Sequence, residues 1–111
     1  MGLRNVPEDR PVALSGVVAA RPGQVSSIEI AAGEAVDMTV LAFSAGEDVS
    51  EMAYPGDTVY LCLAGAALIA RSEGRIVVRE GEALRVAACV PHAVAGADGC
   101  AFTILQVNAL G

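Results

Sequence analysis

The side chains best suited to chemistry in this sequence are one imidazole, His92, three thiols, Cys62, Cys89 and Cys100, and two phenols, Tyr54 and Tyr60. An imidazole serves as a metal ligand or as a general acid or base near neutral pH. A cysteine becomes a nucleophile when a base stands beside it. Cys89 lies three residues before His92, but Val90 and Pro91 intervene, so closeness in sequence does not make contact. Met52, His92 and either Cys62 or Cys89 together would suit a thiophilic ion such as Cu(I). Met and Cys are equally adaptable core fillers. Likewise, a lone His following Pro could be satisfied by a backbone carbonyl. Tyr54 and Tyr60 are in strand phase with Met52 and Thr58, where their hydroxyls could orient a small polar ligand beside His92. The competing readings are core packing for Tyr60 and cover of the Pro55 turn for Tyr54.

These residues must be placed by strands, because no helical stripe runs through the chain. Apolar residues fall in short runs or alternate, broken roughly every eight to twelve residues by Gly, Pro or Asp, a spacing of antiparallel strands in a sandwich or barrel. The expected strands are Val25 to Ile30, Val36 to Phe43, Thr58 to Leu63, Ala66 to Arg71, Arg75 to Arg79, Ala83 to Ala88, Pro91 to Ala95 and Ala101 to Val107. Val12 to Ala19 reads as a first strand or an arm. Ala45 to Pro55 reads as an irregular loop, and Gly65 as the turn of a hairpin. Alternation puts Thr58, Tyr60 and Cys62 on one face, and Val59, Leu61 and Leu63 on the other. Glu51 is out of phase with Met52. Both faces of Thr58 to Leu63 lack charge, as in a strand buried on both sides. One face then lines the barrel and the other meets a second subunit, so a homodimer is expected.

Composition narrows the function. The length suits a single domain, divided here into an arm over 1–24 and a barrel over 25–111. Hydrophobic residues make up 54% and the mean hydropathy is +0.54. Even so, the longest apolar stretch, Thr58 to Ala70, falls short of the about 20 residues of a membrane span. The formal charge is −6 and the seven basic residues, all arginine, are scattered. Without a basic patch, nucleic acid is not expected as a partner. The start of the chain has no apolar signal region, and three unpaired cysteines suit a reducing cytoplasm. No Walker or Rossmann loop is present.

Two stretches carry a family resemblance. One is Gly46-Glu-Asp-Val-Ser-Glu-Met52-Ala-Tyr54-Pro55-Gly56-Asp57-Thr58, continuing to Gly65. The other is Gly81-Glu-Ala-Leu-Arg-Val-Ala87-Ala-Cys89-Val90-Pro91-His92. Their order and spacing resemble the two cupin motifs, G-x5-H-x-H-x3-E-x6-G and G-x5-P-x-G-x2-H-x3-N, in small single-domain cupins of the conserved-barrel type. The resemblance spans roughly Val36 to Val107. It implies an all-β fold, the double-stranded β-helix or jelly-roll cupin barrel, with a pocket at its open end. In that family the pocket often holds a divalent metal on three histidines and a glutamate. The corresponding positions here are Met52, Tyr54, Thr58 and His92, so one ligand of four is kept. In the second motif Ala87, Cys89 and Gly96 replace Pro, Gly and Asn. Transition-metal sites use three or four imidazole or carboxylate donors. No metal and no cofactor are therefore expected. Some cupins resembling sugar epimerases use a His backed by a carboxylate, and none is visibly placed behind His92. The reading adopted is a cupin that binds a small molecule in a pocket lined by Met52, Tyr54, Thr58, Tyr60, Cys62, His92 and Val94. The alternatives are a cupin enzyme, using unusual metal ligands or His92 alone, and a structural or regulatory subunit.

Overall fold

Nine strands form two antiparallel sheets in the computed structural model, which describes residues 2–110. Residues 1 and 111, the outer ends of the arm and barrel spans, lie outside the described residues. The strands are β1 (Val25–Ala32), β2 (Val36–Phe43), β3 (Asp48–Met52), β4 (Thr58–Ala64), β5 (Ala66–Arg71), β6 (Gly74–Arg79), β7 (Ala83–Val86), β8 (His92–Gly96) and β9 (Phe102–Ala109). One sheet runs β1-β2-β9-β4-β7 and the other β3-β8-β5-β6. β-Branched residues recur in strands of both sheets, as in Arg75-Ile-Val-Val-Arg79 of β6 and Thr103-Ile-Leu of β9. No α-helix occurs among the described residues, only 3₁₀ turns at Leu14–Gly16 and Ala97–Gly99. Thus no helix is long and apolar enough to cross a membrane.

The expected faces hold. Tyr60 and Cys62 are fully buried between the sheets and Thr58 is 1% exposed. They share that interior with Phe43, Ile69, Val78, Val94, Phe102 and Ile104. A second cluster lies on the outer side of the five-stranded sheet. There Ile30, Val40 and Leu105 are packed by Val17 and Val18 of the arm and by Leu61 and Leu63. At the edge strand β1 the arm also bonds, Arg4 N–H donating to the Ile30 carbonyl at 2.9 Å.

Val12 to Ala19, read as a strand or an arm, holds a 3₁₀ turn and no strand, which leaves the arm. Two expectations are corrected. The segment Ala45 to Pro55 contains β3, which pairs with β8 through Asp48–Ala95, Val49–Val94 and Met52–His92 with a register shift between Val49 and Met52. That edge strand escaped the apolar pattern because Asp48, Ser50 and Glu51 are exposed and the shift breaks the period of two. Secondly, β4 and β5 are not a hairpin: they belong to different sheets. A hairpin loop takes two or more residues, and the single residue Gly65 only bends the chain from one sheet to the other. The true hairpin is β5–β6, closed by the Arg71–Gly74 pair.

Cys89 stands where the second motif has glycine, and it keeps the left-handed backbone, with φ 64°. Its N–H donates to the Tyr54 carbonyl at 2.7 Å, which ties this turn to the first motif. A side chain in this region costs about 1–2 kcal/mol, partly offset by glycine's greater freedom when unfolded. Cys89 is exposed, so its side chain contributes little packing. Cys89→Gly should therefore stabilise the protein by about 0.5–1 kcal/mol, read as a higher urea midpoint. A lower midpoint would mean that the thiol makes a contact worth more than the strain.

Candidate functional site

The ladders divide the barrel interior into layers. In the five-stranded sheet, Leu41, Ile104 and Cys62 form one inward row; Thr39, Gln106 and Tyr60 form the next; Asp37, Asn108 and Thr58 form the last. In the four-stranded sheet, Val49, Val94 and Ile69 form a row, and Met52, His92 and Arg71 the row after it. Within two rows the lining changes from aliphatic to polar. We call this polar end the mouth of the barrel.

At its centre are two buried rings. His92 is 1% exposed and Tyr60 0%. The Tyr60 hydroxyl lies 2.6 Å from His92 Nε2 and the Val90 carbonyl 2.8 Å from Nδ1. A carbonyl only accepts, so Nδ1 carries a proton, and in the neutral imidazole the Tyr60 O–H donates to the lone pair of Nε2. The rings meet edge-on, with centroids 5.5 Å apart. Both imidazole nitrogens are thereby satisfied, as buried polar atoms must be. Beside them Asn108 Oδ1 accepts from Thr58 Oγ1 at 3.0 Å and from Gln106 Nε2 at 3.1 Å. Over them lie two half-buried side chains. The Tyr54 hydroxyl donates to Met52 Sδ at 3.2 Å, and the Tyr54 ring is tilted 6.1 Å from the imidazole. A thioether is a weak acceptor, so this cover is held loosely compared with the pair beneath.

Burial, reinforced by nearby Tyr54, raises the Tyr60 hydroxyl well above its ordinary value of 10.0. The folded protein therefore holds a proton that the unfolded chain gives up. This contribution is fully present below pH 10 and is lost as the pH rises above it, at up to about 1.4 kcal/mol per pH unit. The urea midpoint should fall from pH 10 upward, and Tyr60→Phe should remove much of the slope. An unchanged slope in that variant would assign the alkaline loss to other groups.

Of the seven residues expected to line a pocket, Met52, Tyr54, Tyr60 and His92 touch or neighbour one another, and Thr58 is in the mouth row beside them. Cys62 and Val94 lie deeper, in the apolar core. The Cys62 thiol, pushed up chiefly by burial, points at the Ala64 and Gly65 carbonyls, 3.5 Å away. Cys89 is exposed and Cys100 donates to the Ala66 carbonyl at 3.4 Å. Hence no cysteine joins Met52 and His92. Five residues of the mouth rows were missed from sequence: Asp37, Thr39, Arg71, Gln106 and Asn108. Arg71 reads as a strand boundary, yet it is in phase with buried Ala67 and Ile69. Gln106 is in phase with Ile104, and Asn108 lies just beyond the expected end of its strand.

No family model matches the chain, and neither does any curated protein. Among solved structures, a cupin superfamily protein from Desulfitobacterium hafniense matches with a TM-score of 0.94 and 36% identity, covering 100% of both chains. The chain belongs to the cupin superfamily. A conserved protein of unknown function from Streptococcus pyogenes has the same fold, with a TM-score of 0.90, 22% identity and coverage of 100% and 96% of the two chains. A cupin 2 conserved barrel domain protein from Leptotrichia buccalis matches 84% of this chain and 44% of its own, at 28% identity and a TM-score of 0.78.

The divalent metal common in cupins does not fit the residues of this one. Of the four ligand positions, Met52 and Tyr54 are bonded to each other and Thr58 to Asn108. At the fourth, the Nε2 lone pair that would ligate an ion receives the Tyr60 hydroxyl, and Nδ1 faces a carbonyl. Among the described residues, no three of His, Cys, Asp and Glu come together in a metal-binding group. Neither does this cupin back its histidine with a carboxylate: the group behind Nδ1 is the Val90 carbonyl.

Proposed function

We propose that this cupin binds a small molecule at the barrel mouth without a metal, between the loose cover of Met52 and Tyr54 and the fixed Tyr60–His92 pair. The observation that carries the reading is the change of the inward rows from aliphatic to polar over Thr39, Gln106, Asn108, Thr58, Tyr60 and His92. A barrel closed only for stability gains nothing from polar rows at one end, since each group must be satisfied. A binding site needs a few fixed polar groups above an apolar floor. The Tyr60 hydroxyl donates inward and keeps an acceptor lone pair. On this reading a ligand reaches it by displacing Tyr54 from Met52. The experiment is methyl NMR of the methionines during titration with small fragments. Binders should move the Met52 methyl while leaving that of Met38, on the outer sheet face, in place. If no fragment moves Met52, the reading fails.

We further propose self-association through the outer face of the five-stranded sheet. Val36, Met38, Val59, Leu61, Leu63 and Val107 are half-buried there. No outward residue of the three central strands is charged, so two chains of charge −6 can meet on this face without opposing like charges. Light scattering should give a dimer, and Val107→Asp should dissociate it. A monomeric parent protein would rule the interface out.

A further inference from the structure

Arg71 is directly opposite His92 across the β5–β8 ladder, on the inward face, and brings the only cationic side chain of the mouth rows. Its Nε is buried and has no hydrogen-bond partner. The ion pairs among the described residues are Arg4–Glu29 and Arg85–Asp57, so no carboxylate of the described residues lies within 4.0 Å of the Arg71 guanidinium. Asp37, the acid in the last row of the facing sheet, does not reach it. A guanidinium is always charged and presents its donors as a rigid planar fork. A buried donor without an acceptor is unfavourable. Among the described residues none supplies the acceptor or the counter-charge at this place.

Resting on the reading of the mouth as a binding site, we propose that its ligand is a small monocarboxylate. Its two oxygens accept from Nε–H and Nη–H of Arg71, the bidentate geometry that arginine favours. Its apolar body lies against Met52 and the ring of Tyr54. A phosphate dianion fits less well, because the mouth offers one fixed positive charge and the second negative charge would be desolvated without compensation.

The test is calorimetry on the full chain with butyrate and benzoate, set against butyramide, benzamide and inorganic phosphate. The Arg71 Nε–H and Met52 methyl resonances are followed in parallel. The carboxylates should bind saturably and move both resonances, with the amides weaker by about tenfold or more. Arg71→Gln should weaken carboxylate binding by a similar factor. Arg71→Lys, which keeps the charge and loses the fork, should fall between. If amides bind as well as acids and Arg71→Gln changes nothing while Met52 still responds, the carboxylate class is wrong and the binding site stands. Tighter binding of phosphate than of either acid would also overturn that class. If no probe moves either resonance, the binding-site reading fails and this inference with it.

Discussion

Replacing His92 by alanine should lower the unfolding free energy by about 3–4 kcal/mol. Two effects combine. The imidazole is 1% exposed and packed among Tyr60, Tyr54 and Met52, so its loss leaves a cavity. The Tyr60 hydroxyl, itself fully buried, then loses its 2.6 Å partner. Tyr60→Phe makes no cavity of that size but orphans His92 Nε2, and should cost about 1–3 kcal/mol. The double variant Tyr60→Phe/His92→Leu removes both polar partners and refills the space. It should recover most of the loss, because two apolar groups of matching shape need no hydrogen bond. Urea unfolding of the parent, Tyr60→Phe, His92→Leu and the double variant measures the coupling, with His92→Ala read beside them. An alanine variant within about 1 kcal/mol of the parent would show that the pair does not hold the mouth. A double variant as unstable as His92→Ala would show that the rings matter for shape alone. The same double variant should retain the fold and lose the binding proposed above.

Gly65→Ala should be at least as damaging, at about 4 kcal/mol or more. A Cβ on Gly65 would lie 2.5 Å from the Ala101 carbonyl oxygen and 3.0 Å from Phe102 Cβ, at φ +73°. The opposing atoms belong to the start of β9 and its backbone cannot yield, since Phe102 is stacked on Phe43 with centroids 4.2 Å apart. Gly23 provides the control. It has the same φ of +73° but nothing within 4 Å of its added Cβ. Gly23→Ala should therefore cost only the left-handed strain, about 1–2 kcal/mol. The difference between the two midpoints isolates the clash. Equal losses would mean that the β4–β5 corner relaxes.

The two motifs keep their backbone while changing their side chains. Gly46, Gly65 and Gly81 adopt positive φ, and so does Cys89 where the family pattern has glycine. The turns that bring the motifs together are therefore intact, including the Cys89 to Tyr54 bond. What has changed is the donor set: a thioether, a phenol and a hydroxyl occupy three ligand positions, and each already has a hydrogen-bond partner within the chain.

By itself the sequence determined every strand but the edge strand β3, because alternation and punctuation are local. Leu84 and Val86 face in while Arg85 is exposed, as the pattern Ala83-Leu-Arg-Val requires. It determined the cupin frame as well, since glycine and Pro-Gly-Asp turns are legible as spacing. Long-range partnership belonged to the tertiary structure. Gly65 looks the same in a hairpin and in a corner between sheets, and only the pairing of β4 with β9 and β5 with β8 tells them apart. The partner of His92 was equally out of reach, because Tyr60 is 32 positions away and strand phase says which face a ring takes, not which ring it meets. Arg71 shows the limit most plainly. Its charge made it read as the end of a strand, while the ladder places it on the inward face beside His92, where its buried Nε has no partner among the described residues.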